Sequence, residues 1–171
     1  MRKTIVVFLM LLASSLGLAA QDTPSAEVFG GYSLLHAHTL VGDHNASGWD
    51  GSIAGNFNRW FGLKADFSGH YTSIAGIAVR DHNFLFGPQI SYRTDKLTPF
   101  AHLLLGGSHL SGDFPSDTSL AWALGGGVDW NVLPRVAVRL VQADLLQTRF
   151  GDDNQNNGRF SFRVVFKFGG K

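Results

Sequence analysis

The sequence predicts an all-β fold, an eight-stranded antiparallel up-and-down transmembrane β-barrel, and three observations carry that prediction. Apolar and polar residues alternate with period two in segment after segment, and no long stretch repeats every 3.6 residues. The alternating segments come to an even number, which lets a sheet close on itself and lose both edges. Long and short connections take turns between them, as in a meander of hairpins whose two ends differ.

Residues 1–20 read as a secretory signal peptide and stand apart from the fold. Arg2 and Lys3 form a positive start, and Ile5 to Leu12 is an apolar run too short to span a bilayer as a helix. Gly17, Leu18, Ala19 and Ala20 supply the small residues for cleavage after Ala19 or Ala20. A membrane anchor is the competing reading, disfavoured because the run passes straight into polar Gln21, Asp22 and Thr23. Removal leaves a barrel domain at 21–171 and takes the net charge from +1 to about −1.

The strands follow in order. Ala26–Leu35 is a weakly patterned first strand. The second places Trp49, Gly51, Ile53, Gly55 and Phe57 on one face, with Asp50, Ser52, Ala54 and Asn56 between. The third sets Phe61, Leu63, Ala65, Phe67, Gly69 and Tyr71 against Lys64, Asp66, Ser68 and His70. The fourth sets Phe84, Phe86, Pro88, Ile90 and Tyr92 against Asn83, Gln89, Ser91 and Arg93. The fifth, Thr98–His109, has no readable phase because Leu103, Leu104 and Leu105 are consecutive. The sixth alternates Leu120, Trp122, Leu124, Gly126, Val128 and Trp130 with Ala121, Ala123, Gly125, Gly127 and Asp129. Its Gly125-Gly126-Gly127 run suits curvature or close packing rather than phosphate binding. The seventh, Arg135–Thr148, begins clearly and loses phase near Val141–Asp144, where a bulge is expected. The eighth alternates Phe160, Phe162, Val164, Phe166 and Phe168 with Ser161, Arg163, Val165 and Lys167. Short turns are expected at 58–60, 94–97 and 131–134. Long loops are expected at about 36–48, 73–82, 110–118 and 149–158, where Gly, Asp, Asn, Ser and His gather.

Composition narrows the function classes. The length of 171 residues suits one domain, and the charged fraction of 16% is low against the roughly 25% of soluble proteins. The absence of cysteine excludes a disulfide scaffold, a thiolate zinc site and a cysteine nucleophile. A near-neutral charge excludes a strongly basic nucleic-acid binder.

A closed barrel is either apolar inside, as in a soluble ligand carrier, or apolar outside, as in a membrane protein. The second fits better. The strands are long enough to cross at a tilt. Aromatics on the apolar face stand toward strand ends, as in two interfacial girdles: Trp49, Trp60, Tyr71, Tyr92, Trp122, Trp130, Phe160 and Phe168, with Tyr32, Phe61 and Phe150. The other face is built of Ser, Ala, Gly and Asn, small enough for a narrow lumen.

The stretches Pro99–Gly107, Ala123–Asp129 and Val138–Asp144, with the aromatic final strand, resemble the OmpA-like outer-membrane β-barrel superfamily, the porin-family small barrels of Gram-negative bacteria. The resemblance covers about 26–169 and implies an outer-membrane location, short turns toward the periplasm and long loops outside. It also implies contact with outer-membrane lipid or lipopolysaccharide, and handling by the barrel-assembly machinery. Family chains usually end on an aromatic residue; here Gly169-Gly170-Lys171 follow Phe168, which would move the assembly signal to Phe166 and Phe168 or weaken it. The resemblance carries no wall-anchoring role.

Seven charged residues fall on the polar face: Lys64, Asp66, Arg93, Asp129, Arg139, Arg163 and Lys167. In a narrow barrel they must pair or meet water. Salt bridges that plug the lumen are the favoured reading. An ion path lined by an excess of cations is the alternative, unless Asp144 also turns inward.

The expected loops hold Asp43, Asp81, Asp113, Asp117, Asp152 and Asp153 against Arg80 and Arg149, read as solvated charge. The short-turn end holds Arg59, Lys96, Arg135 and Lys171, with Asp95. Of the histidines, His36, His38, His44, His82 and His109 lie in or beside the expected loops; no zinc spacing appears, and they read mostly as exposed polar residues. His109-Leu110-Ser111, with Asp113, is similar to the His-x-Ser element of lipid A deacylases, but the match is short and lies away from the family's position. The reading that results is a monomeric, non-enzymatic barrel with a structural or surface-interaction role, without metal or cofactor. A narrow porin-like channel is the alternative, and a lipid A-modifying enzyme stands third.

Overall fold

The computed structural model describes residues 23–39, 42–74, 77–112, 117–150 and 153–169. The expected signal segment 1–20, Asp113, Asp152 and Lys171 lie outside the described residues. Eight strands run β1 (Ala26–Thr39), β2 (Gly42–Asn56), β3 (Phe61–Ile74), β4 (Ile77–Ser91), β5 (Leu97–Gly112), β6 (Asp117–Leu133), β7 (Val136–Phe150) and β8 (Asp153–Phe168). Each pairs antiparallel with the next, and β1 pairs β8 to close the barrel.

The two ends differ, but not as the composition suggests. At the near end the strands are joined through 57–60, 92–96 and 134–135. The first of these turns is held by Asn58, whose Oδ1 accepts from the backbone N–H of Trp60 at 2.8 Å and of Phe61 at 2.9 Å. The third is shorter than expected, because β6 continues through Leu133. At the far end the expected long loops are strand: Thr39 pairs with Gly42, Ile74 with Ile77 and Phe150 with Asp153. Only 40–41, 75–76, 113–116 and 151–152 separate the strands there. A hairpin ladder is made by the backbone and needs no apolar side chain. The Gly-, Asn- and Asp-rich far ends therefore pair as strands while looking like loops. Asp81 consequently sits within β4, not in a loop.

Two uncertain phases resolve. In β5, Thr98, Phe100, His102 and Leu104 are buried, so Leu103 and Leu105 point outward on either side of Leu104. In β7 the register with β8 shifts between Arg139 and Gln142, and Leu140 (45% exposed) and Val141 (42%) both face outward. That bulge opens at the start of the suspect window and turns Gln142 and Asp144 inward. Lesser shifts lie between Val128 and Asp129 and between Asn131 and Leu133.

The wall is inverted relative to a soluble protein. Large apolar side chains are exposed all round it, Ile53, Phe84, Phe86, Leu105, Leu120, Phe162 and Phe166 among them. Such a surface is a liability in water and is the lipid face of a membrane barrel. Inside lie two apolar clusters. Phe29, Ala54, Ala137 and Val165 form one near the turns. Leu35, Ala46, Leu85, Leu104, Ala121, Ala123 and Leu146 form the other. Between and around them the interior is polar.

Candidate functional site: the charge network of the lumen

The alternation that sends apolar residues to the wall sends every second residue of each strand into a space too narrow for bulk water. Arg159 of β8 is the hub. Its Nη1 donates to Asp66 Oδ1 at 2.8 Å and to Ser68 Oγ at 3.2 Å. Its Nε and Nη2 donate to Asp144 Oδ2 at 2.9 and 2.7 Å. Arg163, four residues on, faces the same interior: its Nε donates to Asp50 Oδ2 at 2.7 Å, its Nη1 to Ser52 at 2.8 Å and its Nη2 to Asp66 Oδ2 at 3.1 Å. Lys64 lies 3.3 Å from the same Asp66 oxygen.

Asp144 carries the network toward the near end. It lies 3.0 Å from His102 Nε2 and accepts from Gln142 Nε2 at 2.7 Å. Gln142 Oε1 accepts from Arg139 Nη1 at 2.8 Å. Arg139 then meets Asp129 with two parallel bonds, at 2.6 and 2.9 Å, the fork geometry that favours arginine over lysine. Its guanidinium carbon lies 3.8 Å from the Phe100 ring centroid and 4.3 Å from that of Phe29. Two aromatic faces thus replace water around the cation. Close approach is built in: a Cβ on Gly125 would strike Asp144 and the β7 backbone, and one on Gly127 would strike the β7 backbone and the Phe100 ring.

Nearer the turns, Arg93 Nη2 donates to Glu27 Oε2 at 3.1 Å, and Lys167 Nζ donates to Asn131 Oδ1 at 2.5 Å. Toward the far end, Asp81 accepts from Ser108 at 2.6 Å and from Asn83 at 3.0 Å.

All seven sequence-selected charges line the lumen, with Arg93 and Lys167 at its near mouth. The cation excess does not survive. Glu27, Asp50, Asp81 and Asp144 add four carboxylates and Arg159 one cation, so six basic groups face six acids along the described lumen. Arg159 stands one alternation step before Ser161, and extending the pattern of the eighth strand backward by two residues would have found it. Asp50 lies on the polar face of the second strand. Glu27 belongs to the weakly patterned first strand, and Asp144 is hidden behind the bulge.

The selected aromatics face outward or are half-buried. Trp60 and Tyr92 pack at 5.1 Å between centroids with Arg59 over the Trp60 ring at 5.0 Å, and Trp130 and Phe168 share that end. Farther along, Trp49 Nε1 donates to Tyr71 Oη at 3.3 Å and half-buried Trp122 donates to Gln147 at 2.8 Å; Phe160 is exposed.

Of the five histidines expected in or beside loops, His36, His82 and His109 are half-buried, and the side chains of His38 and His44 lie outside what the structure describes. His70 and His102 are buried in the lumen, because their strands place them in its phase. His36 lies 2.6 Å from Asn45 Oδ1, and His109 Nδ1 lies 2.8 Å from Thr118 Oγ1. Among the described residues no three His, Cys, Asp or Glu side chains are grouped to hold a metal ion. Ser33 Oγ and His70 Nε2 are 3.0 Å apart, the spacing of a nucleophile and its base, and the two residues are 0% and 1% exposed.

Residues 5–168 match the family model described as the outer membrane protein beta-barrel domain. No protein of curated function matches the chain in sequence. The fold is similar to that of Neisserial surface protein A, with a TM-score of 0.69 and 15% identity over 84% of this chain and 97% of that one. It is similar to Ail, the attachment invasion locus protein of Yersinia pestis, with a TM-score of 0.60 and 15% identity over 85% and 99%. A second crystal structure of Ail, at 16% identity, holds the heparin analogue sucrose octasulfate. The N-terminal β-barrel domain of Pseudomonas aeruginosa OprF matches with a TM-score of 0.57 and 10% identity over 84% and 98%.

Proposed function

The chain belongs to the outer-membrane β-barrel family and is an outer-membrane protein, and from that premise we propose that it is a sealed, non-enzymatic barrel that acts as a structural or surface-interaction element rather than as a pore. The observation that carries this reading is the placement of the ion-pair chain from Asp129 to Asp50 among two buried apolar clusters. Lys64, Asp66, Asp144, Arg159 and Arg163 have no exposed side-chain surface. A solute crossing the barrel would have to part several desolvated ion pairs at once. The balance of charge also removes the motive for an anion-selective path.

The far-end hairpins, facing the exterior, are the part of the molecule left to meet a partner. The contact wall is suited to lipid and lipopolysaccharide, and a monomer closes its own sheet edges. The final strand, with Phe166 and Phe168 facing outward, is the segment offered to the barrel-assembly machinery. Liposome swelling tests the sealed lumen: vesicles carrying the folded protein should swell no faster in small sugars than empty vesicles. Swelling that depends on the protein would favour the narrow channel. Mass analysis of lipid A from cells making the protein, with Ser111→Ala as control, tests the absence of enzymatic action. A mass change lost in that variant would overturn it.

A further inference from the structure

At the near end the lumen opens into a cavity of about 420 Å³, within the range of small-ligand sites. Two cations, Lys167 and Arg93, and one carboxylate, Asp95, stand among its lining residues. The ammonium of Lys167 has three N–H donors. Among the described residues the partner it reaches is the uncharged side-chain oxygen of Asn131. Arg93 shares one carboxylate, Glu27, and gives a second donor to the Arg59 carbonyl at 2.9 Å; its Nε is buried with no partner. Glu27 is itself divided, also accepting from Asn56 at 3.3 Å. Asn131 is fixed in place: its Nδ2 donates to the carbonyls of Thr94 at 2.9 Å and Asp95 at 3.2 Å. The floor therefore combines a held amide with N–H donors to spare on Lys167 and Arg93, while Asp95 at the lining and Glu27 and Asp129 close by offset part of the positive charge. The lip is apolar, formed by Val132, Leu133 and Pro134.

We infer that this vestibule binds a small organic anion, its acid group held between Lys167 and Arg93 and its short apolar part against Val132–Pro134. On the proposed sealed lumen a ligand enters and leaves by the same mouth, which makes the site a receptor pocket; the binding itself needs only the vestibule and stands whether or not the lumen conducts.

The test titrates the refolded protein in micelles with butanoate, following the side-chain amide resonances of Asn131. Acetate and butylammonium are the comparison probes. Butanoate should shift the Asn131 amide saturably and bind more tightly than acetate, and butylammonium should leave it unmoved. Lys167→Met should weaken butanoate binding at least tenfold. Val132→Asp, which puts a negative charge on the lip and leaves the floor intact, should weaken it similarly and decides the matter if the lysine variant does not fold. No saturable shift, an equal response to butylammonium, or undiminished binding in the folded variants would overturn the assignment. Equal affinity for acetate would overturn the part given to the apolar lip.

Discussion

Arg159 and Asp66 are 93 residues apart in the chain and 2.8 Å apart in the lumen. One is on β8 and the other on β3, with β1 and β2 between them in the wall. The contact therefore crosses the interior and exists only once β1 and β8 have paired. It reports closure of the barrel, and it ties closure to the burial of charge. A buried ion pair is weak evidence for net stability, since desolvation offsets the attraction, but removing one member leaves the other charged and unpaired.

Arg159→Met should accordingly destabilise the folded barrel by about 3–5 kcal/mol, with Asp66 and Asp144 both losing their main partner. Urea unfolding in lipid vesicles measures it. The double variant Arg159→Met, Asp66→Asn should cost less than the sum of the two single changes. Strict additivity would mean that the two side chains do not interact.

Asp129→Ala should leave Arg139 clamped between Phe29 and Phe100 without its carboxylate. The temperature at which the folded and unfolded forms exchange on a gel should fall. An unchanged temperature would show that the aromatic faces and Gln142 hold the guanidinium unaided.

Gly125→Ala should be destabilising by about 1–3 kcal/mol, because the added methyl meets Asp144 and the neighbouring backbone. Gly30→Ala should be close to neutral, because nothing lies within 4 Å of the added methyl. Denaturation midpoints of the two variants, compared side by side, check the contrast.

The far end is acid-rich in sequence, with Asp43, Asp81, Asp113, Asp117, Asp152 and Asp153 against Arg80 and Arg149. A sulfated polyanion such as the one held by Ail is a poor match in charge. With Arg59, Lys96 and Arg135 of the turn end replaced by Gln, the folded protein should pass through immobilised heparin at moderate salt without retention. Retention that falls with salt would point to a basic surface that this account does not contain.

Most of the wall was legible because lipid on one side and a tight lumen on the other impose period two. Phe160 to Lys167 could be assigned to its faces from sequence alone. Legibility failed where one of those constraints lapses. Toward the far end the alternation of apolar and polar residues fades, so Gly42–Ser47 and Asp153–Gly158 pair as strands without an apolar signature, and Arg159 went with them. At Leu140-Val141 two neighbouring apolar residues both face lipid, which the bulge permits and no alternation announces. The leucines 103–105 read as one block until the burial of Leu104 separates them. The partners within the lumen were not legible at all, because they join strands that are distant in sequence.

The central claim is that the lumen is sealed, and planar-bilayer recording on the refolded barrel, residues 21–171, tests it most directly. Heat-modifiable gel mobility first establishes that the protein is folded. A folded barrel that leaves the bilayer electrically silent is the result this account predicts. Discrete, reproducible conductance steps from the same folded material would contradict it, and would mean that the Arg159 network parts readily enough for ions to pass.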